Sequence, residues 1–269
     1  MKGLQGKAAI VTGGSRGIGR AVVERLLEDD VKVLFTGRKA STGEAVLAEL
    51  REHYRTPAVF LAGDMADEAF CEKAVKTTLE RFNRLDFLVN NAFPFTAKGL
   101  NAQRKDWLHS MEAGPIAYAT MIQQYVINRG KDQPGAIVNM SSIAAHMPDK
   151  GRWTYCAAKG AVTMITRCAA VDLAPKVRVN SITAGSVWTE EVYKAQGGMP
   201  ERKINDPVFG KIHLIDRVIL AEEMASAVAY LLSDESSAMT GADMAVDGGF
   251  GNIGPSGWKY EFDWKDSAD

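Results

Sequence analysis

Tyr155 and Lys159 stand four apart in "YCAAK", a spacing that on a helix sets both side chains on one face, one turn from each other. A lysine ammonium beside a phenol favours the phenolate and lowers the tyrosine pKa, which makes Tyr155 usable as an acid or base near neutral pH. On a solvent-facing helix the same pair is an ordinary surface contact. Thirteen residues before Tyr155, Ser142 follows the apolar run "AIVNMS". A strand there delivers the hydroxyl to the C-terminal edge of a sheet, where open α/β sheets bind ligands; Ser141 is the adjacent alternative. A second constellation is "TGGSRGIG" at 12–19, four glycines in eight positions between "AAIV" and "RAVVERLLE". Glycine is costly inside regular elements, so the cluster marks a tight turn or a backbone that something must approach closely. After a first strand, such a turn lets the next helix aim its unpaired amides and positive dipole end at a phosphate. Gly13, Gly17 and Gly19 then permit the turn, the close approach of a ligand and the helix-to-strand contact, respectively, a context suited to a dinucleotide.

The elements that must position these groups are legible as two alternating periods. Short apolar runs recur at 7–11, 31–35, 58–62, 86–90, 135–141, 177–182 and 241–246, separated by stretches such as "GRAVVERLLEDD" and "FCEKAVKTTLERF" with apolar positions three and four apart. Strand and helix in alternation predict a Rossmann-type, doubly wound, mainly parallel seven-stranded sheet with helices on both faces. No repeat, low-complexity tract or Pro/Ser-rich hinge interrupts the pattern, so one domain is expected over 1–269. Two segments break the rhythm: 186–220, a substrate lid or a surface loop, and an extension over 250–269. In that tail Trp258, Tyr260, Phe262 and Trp264 alternate with charged residues, as in an arm with one aromatic face that docks on a neighbouring subunit.

Composition limits the function classes. The 269 residues are 46% hydrophobic and 24% charged, with 32 basic against 33 acidic side chains. A net charge of −1 gives no electrostatic case for nucleic acid or an anionic membrane as partner. No apolar stretch reaches the roughly 18 residues of a membrane span, and the start of the chain lacks the pattern of a secretory signal, so a cytoplasmic protein is expected. Cys71, Cys156 and Cys168 form no CxxC pair, which leaves no expected disulfide framework or metal site.

The glycine spacing is TGxxxGxG, and together with "NNA" at 90–92 and "YCAAK" at 155–159 it resembles the short-chain dehydrogenase/reductase family in its single-domain branch, over residues 5–250. The resemblance implies hydride transfer between a nicotinamide dinucleotide and a small alcohol or carbonyl substrate, a secondary alcohol and ketone or an alcohol and aldehyde, in a direction left open. It implies that Ser142 holds the substrate oxygen, that Tyr155 exchanges the proton, and that Lys159 lowers the tyrosine pKa and binds the nicotinamide ribose hydroxyls. The cofactor loop is then Gly13, Ser15, Arg16, Gly17, Ile18 and Gly19, with Asp64 and Met65 near the adenine and Asn91 and Ala92 beside the adenosine ribose. Gly185, Val187 and Thr189 match the segment that holds the carboxamide. Gly37 stands where NAD-preferring members carry an acidic residue, and Arg38 follows it; with Arg16, two guanidinium groups and no carboxylate suit a ribose 2′-phosphate, which favours NADP(H) over NAD(H). Family members are often homotetramers, with dimers as the alternative, built through helices corresponding to 105–130 and 153–173. A non-catalytic NADP(H)-binding regulatory module and a non-redox relative are the competing classes.

Three positions depart from the family pattern. Phe93 replaces the glycine of "NNAG", Ala184-Gly185 replaces "PG", and Met111 stands where an asparagine is expected in a helix running through "WLHSMEAGPIAYAT". Methionine has no donor with which to support a proton relay behind the lysine. Phe93, Phe95, His146, Met147, Trp153, Trp188 and Tyr193 lie on segments that should border the pocket, predicting an apolar or aromatic carbonyl substrate; lid packing and subunit contact are the other uses of such residues. His146 is equally a structural histidine. Arg202, Lys203, Lys211 and His213 would favour an anionic substrate if they faced inward, whereas charged lid residues more often face water.

Overall fold

The computed structural model describes residues 1–94, 96–129, 132–190 and 210–253. Short apolar runs become strands: β1 (Ala8–Val11), β2 (Lys32–Gly37), β3 (Ala58–Ala62), β4 (Phe87–Asn90), β5 (Gly135–Met140), β6 (Val177–Ala184) and, late in the chain, β9 (Asp243–Val246). They form one sheet in the order β3-β2-β1-β4-β5-β6-β9, and every pairing is parallel. Parallel strands need crossovers. These are supplied by α1 (Gly17–Glu28), α2 (Ala40–His53), α3 (Glu68–Phe82), α4 (Arg104–Met111), α5 (Ala117–Arg129), α6 (Trp153–Leu173) and α7 (Ala221–Leu232).

Because strand side chains alternate, each central strand feeds two cores. Ala9, Val11, Phe35, Val89 and Val138 pack with α1, α2 and α7 through Val22, Leu26, Leu47, Met224 and Val228. Ala8, Ile10, Leu34, Leu88 and Ile137 face α3, α5 and α6 through Phe70, Val75, Met121, Tyr125 and Ala170. Burial on both faces explains why the strands read as continuous apolar runs rather than as alternating ones.

Two polar clamps hold the sheet. Asp86, just before β4, accepts from Ala8 N at 2.9 Å and from Arg84 at 2.7 and 2.9 Å. Arg178 on β6 donates to the carbonyls of Leu231, Leu232, Ser233, Ser236 and Met239. It thereby satisfies carbonyls at the C-terminal end of α7 that no helical amide can reach.

Two elements differ from the sequence reading. The stretch 186–220 begins and ends in a two-residue parallel ladder, β7 (Val187–Trp188) against β8 (Ile219–Leu220), so its ends are tied together; residues 191–209 lie outside the described ones. The single helix expected through "WLHSMEAGPIAYAT" is two helices, α4 and α5, joined by a wide turn at Glu112–Ile116. Gly114 there leaves helical geometry (φ −112°, ψ −112°) and Pro115 lacks an amide to donate, so the helical ladder breaks.

The strand order reverses between β1 and β4, where the chain moves outward from β1 in both directions. The crevice beyond the C-terminal ends of the strands at such a reversal is where α/β sheets of this topology bind ligands.

Candidate active site

At that crevice the residues after β1 form a glycine-rich turn that leads into α1. Gly13 and Gly17 have φ of +66° and +54°, a conformation that L side chains rarely adopt. A Cβ on Gly19 would strike the Gly13 carbonyl and Asn91 Nδ2, so only glycine lets the start of α1 lie this close to the turn. The residue preceding α1, Arg16, is extended and provides no side-chain cap, and the first amides of a helix have no partner within it. Asn91 Nδ2 donates to the carbonyls of Thr12 (2.9 Å) and Gly13 (3.2 Å), while Thr12 Oγ1 accepts from the amides of Asn91 (2.9 Å) and Ala92 (3.0 Å). Gly13 N in turn donates to Thr36 Oγ1 at 3.2 Å. Thr12 and Thr36, which the sequence reading did not single out, thus fasten the loop to β4 and β2; their signal was only that each ends a buried strand run.

The ends of β2 and β3 form one side of the crevice. Arg38 is exposed at its rim. At Gly37 an added Cβ would stand 2.7 Å from Ser15 Oγ, so a side chain there would require the Ser15 hydroxyl to turn away. Met65 is buried and its Sδ accepts from Thr36 Oγ1 at 3.4 Å, while Asp64 Oδ1 accepts from Ala66 N at 3.0 Å and so fixes its own turn.

The far side of the crevice carries α6, with Tyr155 and Lys159 buried at 8% and 4% exposure. The Ser142 side chain accepts from Ala144 N at 3.2 Å, lines the cleft with Tyr155 and favours its phenolate. Of the two serines, Ser141 is engaged elsewhere: its Oγ pairs with Thr163 Oγ1 at 3.0 Å and reaches the Lys159 carbonyl at 3.4 Å. The Tyr155 pKa lies above its ordinary value, because burial pushes it up more than the Ser142 hydroxyl and the Arg152 charge pull it down. This corrects the expectation of a phenol depressed by Lys159. The lysine itself is pulled down to about 7 by burial; its Nζ donates to the Met140 carbonyl at 2.8 Å and stands 5.8 Å from the Tyr155 ring centre. Phe93 occupies the space between. Its ring lies 4.0 Å from Lys159 Nζ, meets Tyr155 edge to face at 5.3 Å, and fills the notch left by Gly114. The aromatic that replaces glycine after "NNA" therefore narrows the pocket instead of merely reshaping a turn.

The glycine turn, the ends of β2 and β3 and the α6 side chains meet at one cleft of about 900 Å³. Among the residues expected to bind cofactor, Gly13, Ser15, Arg16, Gly17, Ile18, Gly19, Arg38, Asp64, Met65, Asn91, Ala92, Val187 and Thr189 all border it, as do Ser142, Tyr155 and Lys159. The substrate candidates divide. Phe93 and Met147 line the cleft, whereas His146, Trp153 and Trp188 are not among the described residues that do. His146 turns to Asp243 Oδ2 at 2.6 Å and Thr183 Oγ1 at 3.2 Å, the structural reading of that histidine. Trp153 is 51% exposed at the start of α6. Trp188 follows Val187 on β7, and since successive strand residues point to opposite faces, Val187 takes the cleft side. Phe95 and Tyr193, with Arg202 and Lys203, lie outside the described residues, as does the aromatic tail. Lys211 pairs with Asp216 at 2.7 Å. His213 is fully buried and its Nε2 accepts from Ser186 N at 3.1 Å, supporting the turn after β6. His109, Asp149, Arg152, Ile212, Val218 and Phe250 also line the cleft. Only Arg152, three residues before Tyr155, had a position in the sequence that could have drawn attention to it. Among the described residues no cluster suits a metal ion, and no helix is long and apolar enough to cross a membrane.

Comparison with known proteins agrees with this geometry. The family model described as enoyl-(acyl carrier protein) reductase matches residues 13–251. The chain is 34% identical over 257 residues to an NADP-dependent (R)-specific alcohol dehydrogenase of Lentilactobacillus kefiri, covering 92% of this chain and 97% of the relative. Among solved structures, a double variant of a Serratia marcescens short-chain dehydrogenase/reductase superposes with a TM-score of 0.82 at 31% identity, over 92% of this chain and 99% of the other. A Burkholderia cenocepacia short-chain dehydrogenase in complex with NADP gives 0.81 at 32% identity, over 91% and 98%. With the glycine-rich turn at the sheet's reversal point and Tyr155 and Lys159 buried on α6 across the cleft, the chain belongs to the short-chain dehydrogenase/reductase family of oxidoreductases.

Proposed function

We propose that this oxidoreductase uses NADP(H) to interconvert an apolar secondary alcohol and its ketone, with Ser142, Tyr155 and Lys159 as the acid–base site. The observation that carries the reading is that Ser142, Tyr155 and Lys159, all buried, line the same cleft as the glycine turn after β1. The cradle suits a pyrophosphate: first-turn amides of α1 without a side-chain cap, and a glycine that lets the start of α1 lie close against the turn. Gly37 against Ser15, with Arg38 at the rim, favours a 2′-phosphate over a carboxylate-bound diol, and a relative and a solved neighbour whose names carry NADP point the same way. When bound, the nicotinamide supplies or takes up the hydride.

The chain's own groups handle the oxygen and its proton. Ser142 Oγ holds the substrate oxygen beside Tyr155 Oη. In reduction the phenol gives its proton as negative charge grows on that oxygen; in oxidation the phenolate takes the hydroxyl proton. Lys159 Nζ, buried and near half-protonated at neutral pH, offers its remaining donors to the ribose hydroxyls and its charge to the site. Phe93, Met147, Pro148, Ile212, Val218 and Phe250 give this end an apolar wall, which suits a hydrocarbon or aryl carbonyl compound.

Titration of the purified protein with NADPH and NADH, followed by absorbance of the reduced nicotinamide with a panel of ketones and aldehydes, tests the reading. Tyr155→Phe is expected to lower turnover at least 10³-fold with cofactor affinity little changed, and Arg38→Ala to weaken NADPH about tenfold while leaving NADH nearly as before. Binding without turnover across the panel would favour a regulatory module, and equal weakening of both nucleotides would remove Arg38 from the phosphate site.

A further inference from the structure

The reacting end of the cleft holds a cation that the mechanism above does not use. Arg152 immediately precedes α6, and its guanidinium carbon lies 4.6 Å from the centre of the Tyr155 ring. The side chain is anchored: Nη1 donates to Asp149 Oδ2 at 3.0 Å, and the Arg152 amide donates to the Asp149 carbonyl at 3.3 Å. Lys159 is placed less directly, farther from the same ring at 5.8 Å, with its Nζ committed to the Met140 carbonyl and the Phe93 face. The other groups facing Tyr155 are the hydroxyl of Ser142, the Cys156 thiol on its own helix and the buried hydroxyl of Tyr118 on α5, which disfavours a second phenolate. None of these three is a cation.

We propose that Arg152 is a positioning residue for the reaction: its guanidinium, tethered by Asp149 over the ring face, stabilises the Tyr155 phenolate and sets the pH at which that oxygen can take the substrate proton. A cation over an aromatic face is attracted by the ring quadrupole, and more strongly once the ring carries a negative charge. In the oxidative direction the alcohol O–H bond breaks as an O–H bond forms on Tyr155 Oη, so whatever favours phenolate extends activity to lower pH. The guanidinium never titrates in the working range, whereas an amine drawn down toward neutrality does. A fixed charge on the open side of the phenol therefore complements a variable one on the cofactor side. The proposal rests on Tyr155 being the acid–base group, and its test is independent of turnover.

The experiment compares the full-length protein with Arg152→Met, Arg152→Gln and Arg152→Lys. Near-ultraviolet absorbance follows phenolate formation with pH, and subtraction of matched Tyr155→Phe proteins isolates one tyrosine among seven. Loss of the charge in the Met and Gln variants should move the Tyr155 midpoint up by about one pH unit, a tenfold loss of phenolate at fixed pH, and Lys should restore most of it. The acidic limb of kcat for alcohol oxidation should move in parallel. An unmoved midpoint in both uncharged variants overturns the proposal, as does an equal rise in the Lys variant, which would assign Arg152 a packing role. A rise in KM confined to anionic substrates with the midpoint unmoved also overturns it, making Arg152 a substrate ligand. Absence of turnover with a shifted midpoint would refute the proposed reaction while sustaining the electrostatic claim.

Discussion

At the scale of single residues, the site depends on how deeply its ionisable groups are buried. Lys159 loses hydration on folding and recovers one carbonyl and one aromatic face, which leaves its ammonium disfavoured and its pKa near 7. The unfolded chain, with an ordinary lysine pKa, holds the proton more tightly, so stability rises with pH between about 7 and 10. Lys159→Met is therefore expected to raise the thermal midpoint of the cofactor-free protein, most at pH 6–7 and less as the pH approaches 10. Scanning calorimetry across that range checks the sign, and a gain that grows with pH would contradict it. The same residue shows how reading a helix wheel fell short. A four-residue spacing put Lys159 and Tyr155 on one face, but the direction of the ammonium was decided by Met140 and Phe93, which come from β5 and from the turn after β4. Met111, the conspicuous departure, does not border the cleft among the described residues; Phe93 covers the lysine there instead.

At the scale of elements, seven strands and their crossovers were legible because parallel strands buried on both sides must be apolar throughout, and amphipathic helices must repeat every three or four residues. The break between α4 and α5 was missed although Gly114 and Pro115 announce it, since the surrounding residues keep helical spacing on either side. Asp86 is the strongest polar tie between β1 and β4, the two strands that frame the crevice. Burial pushes its pKa up, but hydrogen bonds from Arg84 and Ala8 and the charge of Lys7 more than offset this, so the folded carboxyl lies below its ordinary value. A carboxylate of that kind contributes fully above its unfolded pKa near 4 and loses its contribution as the pH falls through the folded value. Asp86→Asn should destabilise by about 2 kcal/mol at pH 7, with the difference from the parent closing below pH 4 in urea titrations. A constant difference at all pH values would mean that shape rather than charge matters there.

At the scale of the whole molecule, α4, α5, α6 and the turn before α5 carry exposed apolar side chains: Ile116, Ile127, Met164 and Val171 are each more than half exposed, as is Trp153, and Leu108 is exposed too. Large exposed apolar patches mark association surfaces, and these helices coincide with those through which the family resemblance implies an oligomer. Replacing Ile127 and Val171 together by glutamate should convert the assembly to a smaller species in light scattering, with secondary structure unchanged. An unaltered mass would move the interface elsewhere. The aromatic tail expected to dock on a neighbour lies outside the described residues.

The sequence by itself determined the sheet, the glycine turn and the placing of Tyr155 and Lys159 on one helix, because each depends on local rules: strand burial, glycine at backbone positions closed to other residues, and helical spacing. Tertiary structure alone decided which aromatics reach the cleft, sending His146 to Asp243 and Trp188 to the far side of β7 while bringing in Phe93, Ile212 and Phe250. It also decided which cation stands over Tyr155. Those outcomes depend on contacts between segments tens of residues apart, whose mutual distance no periodicity records.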